Sequence, residues 1–264
     1  MARYLLLDLG AGTLDVLYVD DANGRHYKAV VASPILLMAQ TIRKTRGDLF
    51  IDGVEMGGGA VSAALKARVG EGARVVMTEN AAATVHHDRE RVCKSGIKVV
   101  SDGQSEQYQN LRDFKRVTLA DIDPDRLAAI VGDMGLDFEF DVVAACAQDH
   151  GVAPAGTSHL DFRHRLFVER LSRSTNLESL LCEAQEVSTA FNRLRAMAQS
   201  AMDLPTSEVY VMDSGMAAIL GASLDCACRS AERVAVLDVA TSHTVGATLQ
   251  EGRLAGLFEY HTVD

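Results

Sequence analysis

Asp8-Leu-Gly-Ala-Gly-Thr-Leu-Asp15 puts two carboxylates, two glycines and a hydroxyl between the apolar runs Leu5–Leu7 and Val16–Val19. A tight glycine turn between strands exposes several backbone N–H groups on one side. Such a nest binds anions, and glycine lets a phosphate approach with no Cβ in the way. The Thr13 hydroxyl adds a donor, and an aspartate at the strand end can hold Mg²⁺ through water, because that ion keeps much of its hydration. The same residues also suit a plain tight hairpin with capping aspartates, and a short glycine pattern alone does not separate the two readings.

The device recurs. "LLLDLGAGTLDVLYVDDANGR" begins at Leu5 and "AVLDVATSHTVGATLQEGR" at Ala235, and both read apolar strand, Asp, small-residue turn with Thr, apolar strand and a Gly-Arg turn. Two hairpins facing each other across a cleft would clamp a polyphosphate from both sides, the kind of charge stabilisation that dominates phosphoryl transfer.

These loops need elements to hold them. Strands are expected at Tyr4–Asp8, Leu14–Asp20 and Arg25–Ala32, with Asp21–Gly24 as a hairpin turn. Pro34 opens a helix to Lys44, and Asp48–Asp52 reads as a strand. Three glycines, Gly57–Gly59, lead into a helix at Ala60–Val69; they suit either an anion at its N-terminus or close helix packing. A strand at Arg74–Thr78, a helix at Ala81–Arg91 and a strand at Ile97–Ser101 follow, then a polar excursion over 102–116. Asp123-Pro124 starts a further helix, and Asp141–Ala147 is a near-continuous apolar strand. Residues 151–160 form a loop. Thr175 and Glu178 make a capping-box pattern before a helical spacing from Leu180 to Ala198. A strand at Val209–Met212, a helix at Ser214–Leu224 and a last three-strand meander complete the chain. Strands alternating with helices argue an α/β fold.

The 264 residues suit one large or two small domains, and 48% hydrophobic with 23% charged residues allows a sizeable core. Lys and Arg number 26 against 36 Asp and Glu, a formal net charge of −10, which argues against a nucleic-acid footprint. No signal peptide or long apolar run is present, so no membrane association is expected. Five scattered cysteines, Cys93, Cys146, Cys182, Cys226 and Cys228, read as reduced and point to the cytoplasm.

"DLGAGTLD" resembles the first phosphate loop of the actin, sugar-kinase and heat-shock-chaperone ATPase superfamily. Val209–Ala222 is similar to that superfamily's first connecting helix, and Val236–Leu249 follows where its second phosphate loop belongs. Within the superfamily the chain resembles an uncharacterised prokaryotic family whose members carry the label pyruvate formate-lyase activating enzyme. The matching stretches are "DLGAGTLD", "MGGG", "ENAAATVHHD", "AQDHG", "MDSGMAAILG" and "GLFEYHT", which together span nearly the whole chain. The resemblance implies a ribonuclease H-like, actin-type ATPase domain over 1–230, with insertions, and the start of a second ribonuclease H-like domain over 231–264. That second domain is expected to be incomplete, since only about one strand follows its loop.

The resemblance further implies binding of ATP and Mg²⁺, with phosphoryl transfer or ATP hydrolysis. It assigns Asp8 to the hydrated metal and Gly10, Ala11, Gly12 and Thr13 to phosphate, with Asp15 supporting the turn. Asp238, as a second metal-facing carboxylate, forms the opposite wall with Ser242, His243 and Thr244. The family's second loop reads D-x-G-N-G-H-T, whereas Ala240 and Ser242 stand here in place of both glycines. That departure favours an alternative, a non-catalytic relative that binds a partner or small ligand. The family label suggests another, an accessory to a radical enzyme. An iron–sulfur radical enzyme needs C-x₃-C-x₂-C, and no cysteines here have that spacing.

Gln148-Asp149-His150-Gly151 follows an apolar strand, where α/β proteins place ligands, so Asp149 and His150 are candidate catalytic, substrate-contacting residues; a helix-capping loop is the competing reading. His86-His87-Asp88 could ligate a metal, but on a helix neighbours diverge by about 100°, which favours a solvated face. The substrate is a small molecule whose identity the residues do not specify, and the oligomeric state is open.

Overall fold

The computed structural model describes residues 2–109, 111–154, 156–174, 176–240 and 243–261. The chain opens as a meander of β1 (Arg3–Leu9), β2 (Thr13–Asp20) and β3 (Arg25–Ala32), with Asp8 opposite Asp15 and Leu9 opposite Leu14. Leu5, Leu7 and Leu9 face the core from β1, and Leu14, Val16 and Tyr18 join them from β2, the period-2 pattern of a sheet face.

α1 (Pro34–Lys44) is capped by the buried Ser33, whose hydroxyl accepts from Ile35 N, and it buries Ile35, Ala39 and Ile42 along one stripe. It leads into a lobe with an apolar core of its own. There β4 (Asp48–Gly53), α2 (Gly59–Gly70), β5 (Val75–Thr78), α3 (Glu79–Ala82), α4 (Arg89–Lys94), β6 (Lys98–Val100), α5 (Asp102–Gln109) and β7 (Phe114–Leu119) build a parallel sheet of order β6-β5-β4-β7.

α6 (Pro124–Asp133) returns the chain to β8 (Val142–Ala147), which pairs parallel with β1. α7 (His159–Arg173), the two-residue β9 (Cys182–Glu183) and α8 (Asn192–Ala201) precede β10 (Glu208–Asp213). The main sheet then runs β3-β2-β1-β8-β10-β9, parallel through β1, β8 and β10 and antiparallel on both flanks. α9 (Ser214–Ser223) and α10 (Cys226–Ser230) lead to a second antiparallel meander, β11 (Arg233–Val239), β12 (His243–Gln250) and β13 (Arg253–His261). Val245, Ala247 and Leu249 of β12 pack into the same core as β1 and β8. The architecture is mixed α/β with parallel and antiparallel sheets.

Four expectations need correction. The 102–116 excursion contains α5 and the start of β7, whose exposed Lys115, Arg116 and Thr118 hide an edge strand behind a polar sequence. The helix expected over Ala81–Arg91 is broken: α3 stops at Ala82, and Asp88 caps a separate α4. α7, absent from the sequence reading, buries Arg163, Phe167 and Leu171, so a charged residue heads its inward stripe. The helical spacing from Leu180 to Ala198 becomes a 3₁₀ turn, β9, a second 3₁₀ turn and α8, because Cys182–Glu183 pairs with the edge of β10. Leu180, Val187, Phe191, Leu194 and Ala198 are buried all the same. Thr175, half of the expected capping box, lies outside the described residues.

Candidate functional site

The first glycine turn is closed by Gly10 N donating to Thr13 O at 3.0 Å. It is fastened from behind by Ser33, whose hydroxyl donates to Gly10 O at 2.7 Å and whose amide donates to Gly12 O at 3.1 Å. The second turn has the same closure: Ala240 N donates to His243 O at 3.0 Å. Register makes the equivalence complete. Asp8 sits two residues before Gly10 as Asp238 sits two before Ala240, and Leu9 pairs with Leu14 as Val239 pairs with Thr244.

One cleft of about 450 Å³ brings the two turns together. Asp8, Gly10, Ala11, Gly12, Thr13 and His150 line it with Asp238, Ala240 and His243. Gly57–Gly59 and Arg193 form its lobe-side wall. Asp15, Thr244 and Asp149 are not among its lining residues. Asp15 instead accepts from the Thr13 hydroxyl at 3.2 Å and pairs with Lys28 at 3.3 Å, supporting the turn from its flank. The turn equivalence puts His243, not Thr244, at the position of Thr13. Ser242 lies outside the described residues.

The electrostatics of the cleft are acidic at its base. Burial pushes the Asp8 carboxyl above its ordinary range; a hydrogen bond from the Cys146 thiol opposes this, and the fields of Asp15 and Asp238 add to it. Burial and the same Asp8 raise the Cys146 thiol well above its usual value, so it stays protonated. Neighbouring negative charge on a buried carboxylate such as Asp8 is what a divalent cation relieves. Burial lowers the pKa of His243 and favours its neutral form. Among the described residues no group of three or more His, Cys, Asp or Glu could enclose an ion. A hydrated Mg²⁺ needs only one or two carboxylates, so Asp8 and Asp238 suit it.

Asp149 is buried, with Oδ1 accepting from Gly151 N at 2.8 Å and Oδ2 from Leu194 N at 2.9 Å, in the first turn of α8. Burial pushes its carboxyl up to about 6 despite those bonds. It shapes the loop that presents His150, which is exposed at the cleft. Close packing is the use the structure gives to two residues of the glycine triplet. A Cβ on Gly57 would run into Ile35, and one on Gly58 into the Thr84 carbonyl, whereas Gly59 faces open space. α2 starts there with no side-chain cap, a terminus suited to negative charge.

Several residues of the site have no local signal in the sequence. Arg193 forks onto Asp121 at 2.7 and 3.0 Å and donates to Gln148 O at 2.8 Å, fixing the wall between lobe and main sheet. Glu55 accepts from Asn192 at 2.5 Å and meets His87 Nε2 at 2.9 Å. His87 is thus neither one of a metal triad nor part of a solvated face. Its partner is 32 positions away, beyond the reach of motif spacing.

A family model described as "Putative pyruvate format-lyase activating enzyme (DUF1786)" matches residues 56–264, well over half of the chain. The chain belongs to that family. No curated protein matches it. The family match begins at Met56 and so covers the glycine triplet, the Asp149 loop and the second hairpin but not the first. An iron–sulfur centre of the kind the family's description suggests does not fit the donor set. Cys226 and Cys228 lie on the short α10, while Cys93, Cys146 and Cys182 are on α4, β8 and β9. Among the described residues no helix is long and apolar enough to cross a membrane.

Proposed function

We propose that the cleft between the two hairpins binds ATP with Mg²⁺, and that the chain acts as a phosphotransferase or ATPase. The observation that carries this reading is the pair of identically closed turns, Gly10–Thr13 and Ala240–His243, lining one cleft with Asp8 and Asp238. Backbone amides of Ala11 and Gly12, beside the Gly10 amide that closes the turn, cradle phosphate oxygens, with Ser33 preventing the turn from relaxing. Asp8 and Asp238 hold the hydrated ion, which supplies charge neutralisation on the phosphoryl oxygens. His150, from the rim, contacts the transferred group or its acceptor, and Asp149 positions that loop.

The strand order β3-β2-β1-β8-β10, with only β2 reversed, supports a ribonuclease H-like, actin-type sheet for residues 1–230. The repeat of its opening meander by β11–β13 supports reading 231–264 as the start of a second such domain. Ala240, where the first turn has Gly10, favours a second reading, binding of a nucleotide or small ligand without turnover.

Calorimetric titration with ATP, with and without Mg²⁺, tests the proposal. Metal-dependent binding that Asp8→Ala abolishes, while the variant's far-UV circular dichroism and unfolding midpoint stay at wild-type values, is the expected result. Equal affinity in the variant, or no binding by the wild type at millimolar ATP, would sink it.

A further inference from the structure

The main sheet is filled on one face and left partly open on the other. Leu5, Leu7, Val16 and Val143 are buried in the core, whereas Leu6, Leu17, Ala144 and Cys146, on the opposite face of the same strands, are only half-buried. β1, β8 and β10 run parallel, and parallel strands ordinarily have both faces covered. Register lays the open face out in two rows. Lys28, Leu17, Leu6 and Ala144 stand side by side in one, and Asp15, Asp8, Cys146 and Met212 in the next, nearer the hairpin turn.

A hollow of about 420 Å³ lies over these rows, with Leu181 and Ala217 of α9 as further walls. A volume in the few-hundred Å³ range is that of a small-molecule site. Leu6, Leu17, Ala144 and Met212 make its floor apolar. Its charge is one-sided. Lys28 is engaged by Asp15 at 3.3 Å, and among the described residues Asp8 has no ion-pair partner; the Cys146 thiol donates to it instead. The hollow thus offers one unmatched carboxylate beside an apolar floor, which complements a single positive charge on a hydrocarbon body. An anionic head would meet Asp8 and Asp15, and a neutral one would leave the Asp8 charge unanswered. Asp8 also lines the hairpin cleft, so the two sites share this carboxylate.

We propose that this hollow binds a small cationic amphiphile, a primary amine on an apolar body, whose ammonium sits on the Asp8 carboxylate and keeps a metal ion from it. An aliphatic amine is protonated at pH 7, as lysine is. The ammonium donates to Asp8 while the hydrocarbon lies along Leu6, Leu17 and Ala144. Ammonium and hydrated Mg²⁺ then compete for one carboxylate, so a filled hollow weakens what the hairpin cleft holds. Binding in the hollow is independent of the nucleotide reading, and only the competition rests on it.

The test uses the full chain and three probes that share one hydrocarbon body: n-octylamine, 1-octanol and sodium octanoate. Calorimetric titration without nucleotide or metal is expected to show one saturable site for octylamine and weaker or no binding of the other two. Asp8→Asn weakens octylamine binding about tenfold. Ala144→Leu fills the hollow without changing charge and abolishes binding, which a general attraction of cations to a chain of net charge −10 would not do. Ala217→Leu fills it from the helix side and serves if the strand variant does not fold by circular dichroism. No octylamine binding by the wild type, equal binding of octanol or octanoate, or unchanged octylamine affinity in Asp8→Asn or a folded filled variant overturns the inference. A wild type that dimerises in sedimentation while Ala144→Leu stays monomeric assigns the face to a second copy and also overturns it. Octylamine is expected to weaken binding of ATP with Mg²⁺, and ATP affinity that octylamine leaves unchanged overturns the shared carboxylate and the inference with it. A wild type that binds octylamine as expected but no ATP supports the hollow and removes the nucleotide reading instead.

Discussion

Arg163 Nη2 lies 2.7 Å from Asp213 Oδ1, both side chains buried, and its Nη1 lies 2.8 Å from Glu259 Oε1. Asp213 ends β10 and caps α9, while Glu259 belongs to β13, so one guanidinium on α7 joins the main sheet to the second meander. Gln148 donates to the same Glu259 oxygen at 2.9 Å, linking the pair to the wall of the hairpin cleft. Arg163→Met leaves two carboxylates without their cation, one of them deeply buried, and is expected to cost about 3–5 kcal/mol in urea unfolding. A loss under about 1 kcal/mol would mean the contact is not maintained in solution.

Ala240 allows a gain-of-function comparison. Its turn closes as that of Gly10 does, and neither residue has a positive φ, so glycine is not needed there for backbone shape. Ala240→Gly removes only a Cβ from the cleft wall where phosphate is proposed to sit, at a stability cost of about 0.5–1 kcal/mol. Calorimetry is expected to give several-fold tighter ATP binding. Unchanged or weaker affinity would show that the second turn does not touch the nucleotide.

Asp149 gives a pH signature. Its carboxyl is raised from 3.8 to about 6 in the folded chain, chiefly by burial, so the folded state binds its proton more tightly than the unfolded chain does. Its stabilising contribution is full below about pH 4 and is lost as pH rises through about 6, by about 3 kcal/mol from the size of that shift. Unfolding free energies of wild type and Asp149→Asn, compared between pH 4 and pH 7, should diverge in that direction. A pH-independent difference would contradict the burial of the charge.

His87 should show the same sign in a higher window. The Glu55 hydrogen bond raises its pKa above 6.5 against the effect of burial. The charged pair therefore adds stability that is present in full below about 6.5 and is lost as pH rises through the folded-state pKa. Glu55→Gln should lower the histidine's NMR titration midpoint and remove that increment. A midpoint that does not move in the variant would separate the two residues.

Much of the site was legible from local pattern. The two hairpins, each with an aspartate before a small-residue turn, are readable because strand alternation and short turns are properties of adjacent residues; that Asp8, the Gly10–Thr13 turn and Asp238 line one cleft is the work of packing. Asp15 and Thr244, chosen by the same motif logic, lie outside that cleft. Thr244 pairs with Val239 and so takes the face opposite Asp238, which pairing register decides; Asp15 shares a face with Asp8 and is instead engaged by Thr13 and Lys28, contacts that motif spacing does not give. Asp149 and His150 were found by their place after an apolar strand, but their division of labour depends on the contact with Leu194, 45 positions on.

The sequence by itself determined the alternation of strands and helices, the two meanders and the small-residue turns within them, since each is set by hydrophobic period and turn chemistry over a few residues. It also determined that Leu180, Phe191 and Leu194 would be buried, though not that β9 would interrupt the helix. Only the tertiary structure decided that Arg163 would stand in an apolar stripe, that Glu55 would meet His87 and Asn192, and that Asp8 would line both the hairpin cleft and the hollow beside it. The physical reason is that a buried charge is tolerable only where partners from distant elements surround it, and those partners are brought together by packing rather than by spacing along the chain.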